Sequence, residues 1–298
     1  MKNGIFLIVR LLGLTILYFI LFGAISAALI PASTQGQNTG NESNVFFALL
    51  AVSVLNTLVV AYVILRSRLT GWKLALSLFV IFFGVGTFMA QIETAVFVTG
   101  LPPGLLSRIV LSGFFLALVF SPLAVLVLGR GKSKQGSDDT SLQPLPVSQW
   151  IVRLTLIALC YVVIYFTFGY FLAWKNPAVR AYYHGTDPGG LLAQIKSVVV
   201  DTPWLVGLQF VRGLLWVFIA LPVIRMMKGE RWEIALSVAL CFAVFMSSLL
   251  LLPNPLMPTE VRMAHLVETA TSNFLFGGLL VFVLLSRRPR SVSAETSN

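Results

Sequence analysis

Eight long apolar segments constrain the fold of this chain more than any other feature of its sequence. They lie near residues 5–30, 45–65, 72–99, 105–128, 150–173, 203–227, 232–252 and 260–285. Each is long enough to cross a bilayer as a helix, which takes about 20 residues. Lipid offers no hydrogen-bond partner to an open backbone, and the segments are too long and continuous for barrel strands. The sequence therefore predicts an all-α integral membrane protein with eight transmembrane helices.

Composition agrees with this fold class. The mean hydropathy is +0.90, and 57% of the residues are hydrophobic. Only 11% are charged, whereas about 25% are charged in a soluble domain. No segment outside the apolar runs is long enough for a separate soluble domain.

The sequence also repeats itself. Residues 72–130 align without a gap with residues 232–290, at an offset of 160. The two stretches begin with WKLALSLFVIFF and WEIALSVALCFA, in which Trp, Ala, Leu, Ser and Phe recur in register. An IVRL motif at residues 8–11 returns at residues 151–154, and each copy is followed by a tyrosine, Tyr18 or Tyr161. The chain is therefore interpreted as two copies of one hydrophobic unit.

The duplication predicts the arrangement of the helices. With an even number of helices per copy, both copies have the same orientation, so we expect two parallel four-helix repeats. Their pseudo-two-fold axis is expected along the membrane normal. The predicted division is residues 1–130 for the first repeat, 131–149 for a polar cytoplasmic linker and 150–298 for the second repeat.

The formal net charge of +10 is a topology signal. Thirteen of the 21 Lys and Arg residues lie at the termini or in connections after even-numbered helices, and only four lie in the opposite loops. Basic loops favour the cytoplasmic side. We therefore expect a multi-pass protein of the cytoplasmic (inner) membrane with both termini in the cytoplasm. Its partners are expected to be the anionic lipids of the cytoplasmic leaflet, and not a nucleic acid.

The sixth apolar segment contains a deeply placed arginine. Arg212 lies nine residues beyond Pro203, or roughly 13 Å below the start of the helix. Gln209 shares its face, one turn earlier. Charged groups at such a depth tend to face a bundle interior or a water-filled cavity. Arg212 is thus a candidate charge anchor for a ligand, and the alternative is a structural arginine that binds backbone carbonyls of neighbouring helices.

The eighth segment is amphipathic inside the membrane. Its polar residues fall within an arc of about 140° at helical spacing; they are Arg262, His265, Glu268, Thr269, Ser272 and Asn273. Exposure of such a face to lipid is energetically unfavourable, so the face must line a polar cavity or a hydrogen-bonded helix interface. A ligand or ion site that includes His265, Glu268 and Asn273, and a purely structural role, both remain open.

Two further charges lie in the first repeat. Glu93 lies near the outer end of the third helix, on a face different from the stripe formed by Thr87, Gln91 and Thr94. Arg108 is the counterpart of Glu268 at the offset of 160. We therefore expect Arg212 and Glu268 each to have a charged or hydrogen-bonding partner from another helix, with Arg108 or Arg212 as the leading partners of Glu268.

Catalytic and cofactor motifs are absent from the sequence. It contains no HExxH, Walker A, GxSxG or GxGxxG pattern, and its only two histidines are His184 and His265. His265 and Glu268 have the spacing of metal ligands, but a di-metal site needs a second such motif. We therefore predict neither a metal nor a cofactor, and enzymatic activity is uncertain.

These observations leave three classes of function. The first is transport-related: a small polar or anionic molecule, or an ion, binds in a pocket between the repeats. Arg212 would then be the charge anchor, Glu268 and His265 the proton-titratable pair, and Asn273 and Gln209 hydrogen-bonding groups. The second is an intramembrane enzyme acting on a lipid-linked or exported substrate, and the third is a structural or regulatory subunit.

Overall fold

The computed structural model of the protein describes residues 2–31, 42–98, 100–132, 146–253 and 256–286. The α-helices, in chain order, are α1 (Lys2–Leu29), α2 (Glu42–Arg66), α3 (Gly71–Phe83), α4 (Ala90–Phe97), α5 (Leu105–Val127), α6 (Val147–Phe168), α7 (Pro177–Tyr182), α8 (Leu191–Asp201), α9 (Pro203–Met226), α10 (Arg231–Ser247) and α11 (Thr259–Leu284). A 3-10 segment, Ser248–Leu251, continues α10. Within the described ranges there is no β-strand, only one isolated β-bridge.

Eight helical spans within the described ranges are long and apolar enough to cross a membrane, which confirms the predicted fold class. Their bounds are Gly4–Leu29, Asn44–Arg66, Gly71–Phe97, Leu105–Val127, Val147–Trp174, Pro203–Met226, Arg231–Leu251 and Thr259–Leu284. Each agrees with a predicted segment to within a few residues. Most of the predicted linker, residues 133–145, lies outside the described residues.

Local sequence explains where several helices begin. Pro203 occupies the first turn of α9, where its missing N–H is not needed. Glu230 and Glu233 form a reciprocal capping box at the start of α10. The side chain of Asn176 accepts a hydrogen bond from the Ala178 N–H at 2.9 Å and caps the short helix α7.

Two spans contain a π-helical segment, which the sequence reasoning did not anticipate. Gly84–Met89 continues α3, and Gly169–Trp174 continues α6. Each begins with a glycine inside an apolar run, a position at which a local irregularity is common. A π turn shifts the register of backbone hydrogen bonds by one residue and is frequent at functional sites.

The helices pack in a consistent pattern. α1 contacts α2 and α5, and α6 contacts α9 and α11. α3 contacts α5 and α9, whereas α10 contacts α11 and α2. The first π segment packs against α10, so the third and seventh spans meet near the middle of the bundle. One continuous apolar core extends through both halves of the chain.

The ends of α2 and α9 meet at one end of the bundle. There, Ser67 and Met227 form the isolated antiparallel bridge. Two backbone hydrogen bonds flank it: Arg68 N to Met226 O at 2.7 Å, and Lys228 N to Arg66 O at 2.9 Å. We call this the basic end of the bundle, and the opposite end, which carries α7 and α8, the α7–α8 end.

Candidate functional site

Arg212 lies in the half of the bundle nearer the α7–α8 end and is almost completely buried, with 1% of its side chain exposed. Its Nη1 contacts Glu93 Oε1 of α4 at 2.5 Å and donates to Gln209 Oε1 at 2.8 Å. Its Nη2 donates to the carbonyl oxygen of Met89 at 3.4 Å. The expected charged partner from another helix is therefore present, and it is Glu93.

The first π segment supplies part of this arrangement. Met89 is its last residue, and Glu93 follows one turn later on α4. Both therefore reach Arg212 from the same span. The opposite wall is aromatic: the guanidinium carbon of Arg212 lies 5.7 Å from the ring centre of Tyr161 and 6.0 Å from that of Tyr165, both on α6. A ring face attracts a cation electrostatically.

A second group of polar side chains runs from the α7 region onto α11. The Tyr183 hydroxyl lies 3.2 Å from His265 Nε2, and His265 Nδ1 lies 2.7 Å from Glu268 Oε2. Which imidazole nitrogen carries the proton depends on the tautomer. Glu268 also lies against the start of the second π segment, since its Oε1 is 3.4 Å from the position that a Cβ on Gly169 would occupy. Both π segments thus border these charged residues.

The two groups act on one another electrostatically. Burial raises the pKa of Tyr183, and the nearby Tyr182 and the carboxylates of Glu93 and Glu268 raise it further. We refer to Glu93, Gln209, Arg212, His265 and Glu268 as the charged cluster.

Burial in the charged cluster is graded. Glu93 is 28% exposed, His265 19% and Glu268 12%, whereas Arg212 is 1% exposed. The Nε of Arg212 and the Nε2 of Gln209 are buried and have no hydrogen-bond partner among the described residues. The cluster therefore offers two donors that a bound acceptor or water can satisfy.

The expected pairing of Glu268 with Arg108 or Arg212 is wrong. Glu268 pairs with His265 of its own helix, because residues three apart share a helix face. Arg108 is exposed and donates to the carbonyl oxygen of Leu29 at 3.2 Å. It belongs to α5, which packs on α1 and α3, whereas α11 packs on α6 and α10. Arg108 therefore takes no part in the charged cluster.

Two other polar residues of α11 lie apart from the cluster's hydrogen bonds. Asn273 is buried, and its side chain makes no hydrogen bond to any described residue. Arg262 is also buried and donates to the carbonyl oxygen of Leu251 and the hydroxyl of Thr259, near the start of the helix. The predicted polar face of α11 is therefore divided between helix-end contacts and the pair of His265 with Glu268.

The sequence reasoning missed three aromatic members of the site, namely Tyr161, Tyr165 and Tyr183. The two tyrosines of α6 lie four residues apart, a spacing that places them on one helix face. The role of Tyr183 had no sequence signal, since it depends on how the connection after α6 folds back over α11. Within the described ranges, no three His, Cys, Asp or Glu side chains come together as a metal-binding group.

Comparison with known proteins assigns no family to this arrangement. No protein-family model matches the sequence, and no curated protein or solved structure is significantly similar to it. A functional conclusion must therefore come from the residues of the site themselves.

Proposed function

We propose that this chain is a transport-related membrane protein that handles a small polar or anionic molecule, or an ion, and that its charged cluster exchanges a proton during that process. The observation that carries the proposal is a buried Arg212–Glu93 pair that lies near a separate hydrogen-bond chain of Tyr183, His265 and Glu268. Ionisable residues within a membrane span are costly and commonly mark ion or proton pathways.

Arg212 is the fixed charge of the proposed site. Its pairing with Glu93 keeps the guanidinium charged inside the bundle, while its Nε and the Gln209 amide remain available as buried donors. An anion or another hydrogen-bond acceptor that enters the cluster would satisfy both donors. The same two donors bind water when no such ligand is present.

His265 and Glu268 are the proposed proton-exchanging pair. Histidine is the side chain whose ordinary pKa lies nearest neutrality, and the 2.7 Å contact with Glu268 allows the two groups to share one proton. Tyr183 links this pair to the α7 region. A proton that enters at the α7–α8 end would therefore reach Glu268 through side chains that are already in contact.

The parallel four-helix repeats form part of the same proposal. At the offset of 160, Ser67 is the counterpart of Met227, so the β-bridge joins two equivalent positions. The two flanking hydrogen bonds are also equivalent. Exchanging positions that differ by 160 converts the bond from Arg68 N to Met226 O into the bond from Lys228 N to Arg66 O. Helix contacts also come in matched pairs, for example α3 with α9 and α10 with α2. A pseudo-two-fold axis through the bridge accounts for these observations together.

The membrane orientation is proposed from charge. Arg66, Arg130 and Arg231 lie at the basic end, where the guanidinium of Arg231 donates to the Phe282 carbonyl oxygen at 3.2 Å. A groove of about 510 Å³ between α3 and α9 is lined in part by Lys73, Ser77 and Arg225. Such a basic, partly hydroxylated surface favours anionic lipid headgroups, so the basic end is assigned to the cytoplasmic side of an inner membrane.

Infrared difference spectroscopy on the purified protein tests the proton exchange directly. Between about pH 5 and pH 8, the range in which histidine titrates, the wild type should show a pH-dependent carboxylate band that disappears in Glu268→Gln. The matched control is Glu260→Gln, an exposed position on the same helix, which should retain the band. A wild-type protein without such a band, or an unchanged band in Glu268→Gln, would contradict the proposal.

One observation favours a structural role as the second candidate. The Arg212–Glu93 contact forms without a ligand, and polar contacts between helices contribute to helix association in membranes. In that case the cluster fixes helix packing, and an unidentified partner supplies the function. The absence of that pH-dependent band, together with strong coupling between Arg212 and Glu93 in stability, would favour this candidate.

A further inference from the structure

A polar cavity of about 100 Å³ lies within the bundle and is separate from the charged cluster. Residues of α1, α2, α3, the first π segment, α4, α5, α10 and the 3-10 segment line it. Its lining therefore includes residues from both halves of the chain. Most of the lining is apolar, and its polar side chains are Tyr18, Ser26, Asn56, Thr87, Gln91, Ser112 and Ser248. We refer to it as the polar cavity.

Several of these polar groups lack a protein partner. The Oε1 of Gln91 is buried with no hydrogen bond to any described residue. The hydroxyls of Thr87 and Ser112 likewise make no hydrogen bond within the described part of the chain. Asn56 is oriented, because its Nδ2 donates to Ser248 Oγ and to the Val52 carbonyl oxygen, both at 2.8 Å. The cavity thus presents fixed amide and hydroxyl groups to whatever occupies it.

Size and charge define the class of occupant. A cavity of about 150 Å³ holds benzene, so one of about 100 Å³ suits a molecule of about four to six non-hydrogen atoms. Among the described residues, no Asp, Glu, His, Lys or Arg lines the cavity. A charged guest would lose its hydration without a counter-charge, which is costly in a low-dielectric interior. The lining therefore favours an uncharged molecule with hydroxyl or amide groups.

The proposed pseudo-symmetry explains why the second repeat has filled the equivalent space. At the offset of 160, Asn56 corresponds to Trp216, and Gly113 corresponds to Asn273. Both replacements are larger, and the Trp216 ring packs against Phe242 with ring centres 4.2 Å apart. The second crevice is thus occupied by side chains and borders the charged cluster, while the first remains open.

The first π segment connects the two sites. Thr87 and Gln91 face the polar cavity, whereas Met89 and Glu93 contact Arg212. The two sets of residues alternate along one short stretch, which agrees with the predicted separation of the Thr87–Gln91 stripe from the face of Glu93. A shift of this segment on binding in the cavity would therefore move the partner of Arg212.

The geometry points to the polar cavity as a binding site for a small uncharged solute that carries hydroxyl or amide groups. This inference rests on the proposed transport-related function and adds to it a second site, apart from the charged cluster, for an uncharged solute. Asn56, Thr87, Gln91 and Ser112 hydrogen-bond the solute, and the surrounding aromatic rings of Tyr18 and Phe82 exclude water from its apolar side.

Thermal-shift titrations of the purified protein in glycerol-free buffer test the site, with glycerol, ethylene glycol, urea and acetamide as probes. At least one probe should raise the melting temperature to a plateau, and lactate should not. Ser112→Ala and Thr87→Val each remove one hydrogen bond and should weaken the apparent Kd about three- to tenfold. Ser272→Ala is the matched control, because Ser272 is the counterpart of Ser112 and bonds to its own helix.

The outcomes separate the two proposals. Polyols stabilise folded proteins weakly without a site, so a rise that is linear and equal in all variants overturns the cavity site, as does the absence of any effect from the four probes. If the infrared band of Glu268 persists in that case, the proton-exchanging cluster stands without this solute site. Saturable binding that depends on Ser112, without a pH-dependent Glu268 band, supports the cavity site and contradicts the proton exchange.

Discussion

Arg212 carries a buried charge that needs a counter-charge. Its side chain is 1% exposed, and among the described residues only Glu93 provides a direct counter-charge. A buried ion pair contributes little by itself, because desolvation opposes the attraction, but removal of one partner leaves an uncompensated charge. The pair is therefore expected to be sensitive to single substitutions and tolerant of a matched double substitution.

A double-mutant cycle on this pair should show that coupling. Arg212→Gln and Glu93→Gln should each lower the free energy of unfolding in detergent micelles by about 3 kcal/mol, the lower end of the range for buried pairs, since Glu93 is 28% exposed. The double variant should recover part of the loss. The exposed Arg108→Gln is the control and should change stability by less than about 0.5 kcal/mol. Additive losses at Arg212 and Glu93 would show that the two side chains do not interact.

At the scale of the helix, glycines set how closely neighbouring spans approach. A Cβ on Gly213 of α9 would lie 2.7 Å from the Cα of Ala158 on α6. A Cβ on Gly277 of α11 would lie 2.8 Å from the Cα of Ala239 on α10. Small residues at such crossings permit close backbone packing, which is a principal source of helix association in lipid. The first crossing also holds α6, with its two tyrosines, beside Arg212.

The effect of a glycine-to-alanine substitution on stability should therefore depend on whether the glycine lies at a helix crossing. Gly213→Ala and Gly277→Ala should each destabilise the protein by about 1–3 kcal/mol, as expected for overpacking against backbone. Gly207→Ala and Gly278→Ala are matched controls on the same two helices, where a Cβ meets nothing within 4 Å. The controls should be neutral or slightly stabilising, since alanine favours a helix. Equal effects at Gly277 and Gly278, measured by thermal unfolding, would mean that the crossing is not tight.

For the whole molecule, the described residues contain an even number of candidate spans, as the proposed orientation with both termini on one side of the membrane requires. The basic end gathers the ends of α2 and α9 and the starts of α3 and α10 around the Ser67–Met227 bridge. The charged cluster and the polar cavity both lie toward the opposite end. This separation of a basic, lipid-facing end from the two candidate binding sites is the basis of the proposed orientation.

The orientation predicts the result of reporter fusions. A reporter enzyme that works only in the cytoplasm should be active when it is fused after Asn298 or inserted between Lys132 and Thr140, and one that works only outside the cytoplasm should be inactive there. A reporter in the connection between α7 and α8, for example after Gly189, should report the other side and serves as the control. An externally accessible C-terminus would contradict the orientation and, with it, the assignment of the α7–α8 end to the outside.

Particular residues show which features of the structure could be predicted from the sequence. Helix positions were predictable because the length of an apolar run is a local property, and the need of Arg212 for a partner followed from its depth alone. The identity of that partner was not predictable. Glu93 and Glu268 lie on different spans, and the choice between them depends on the rotation of each helix, which the π segments alter.

The sequence by itself determined the membrane class, the number of spans and the polar face of α11, since hydrophobic length and helical period are encoded within each segment. Only the tertiary structure decided that Glu93 pairs with Arg212, that Tyr183 reaches His265, and that Thr87 and Gln91 border a cavity. These contacts join residues far apart in the chain. They are set by how the spans rotate and cross, which is a property of the packed bundle and not of any single helix.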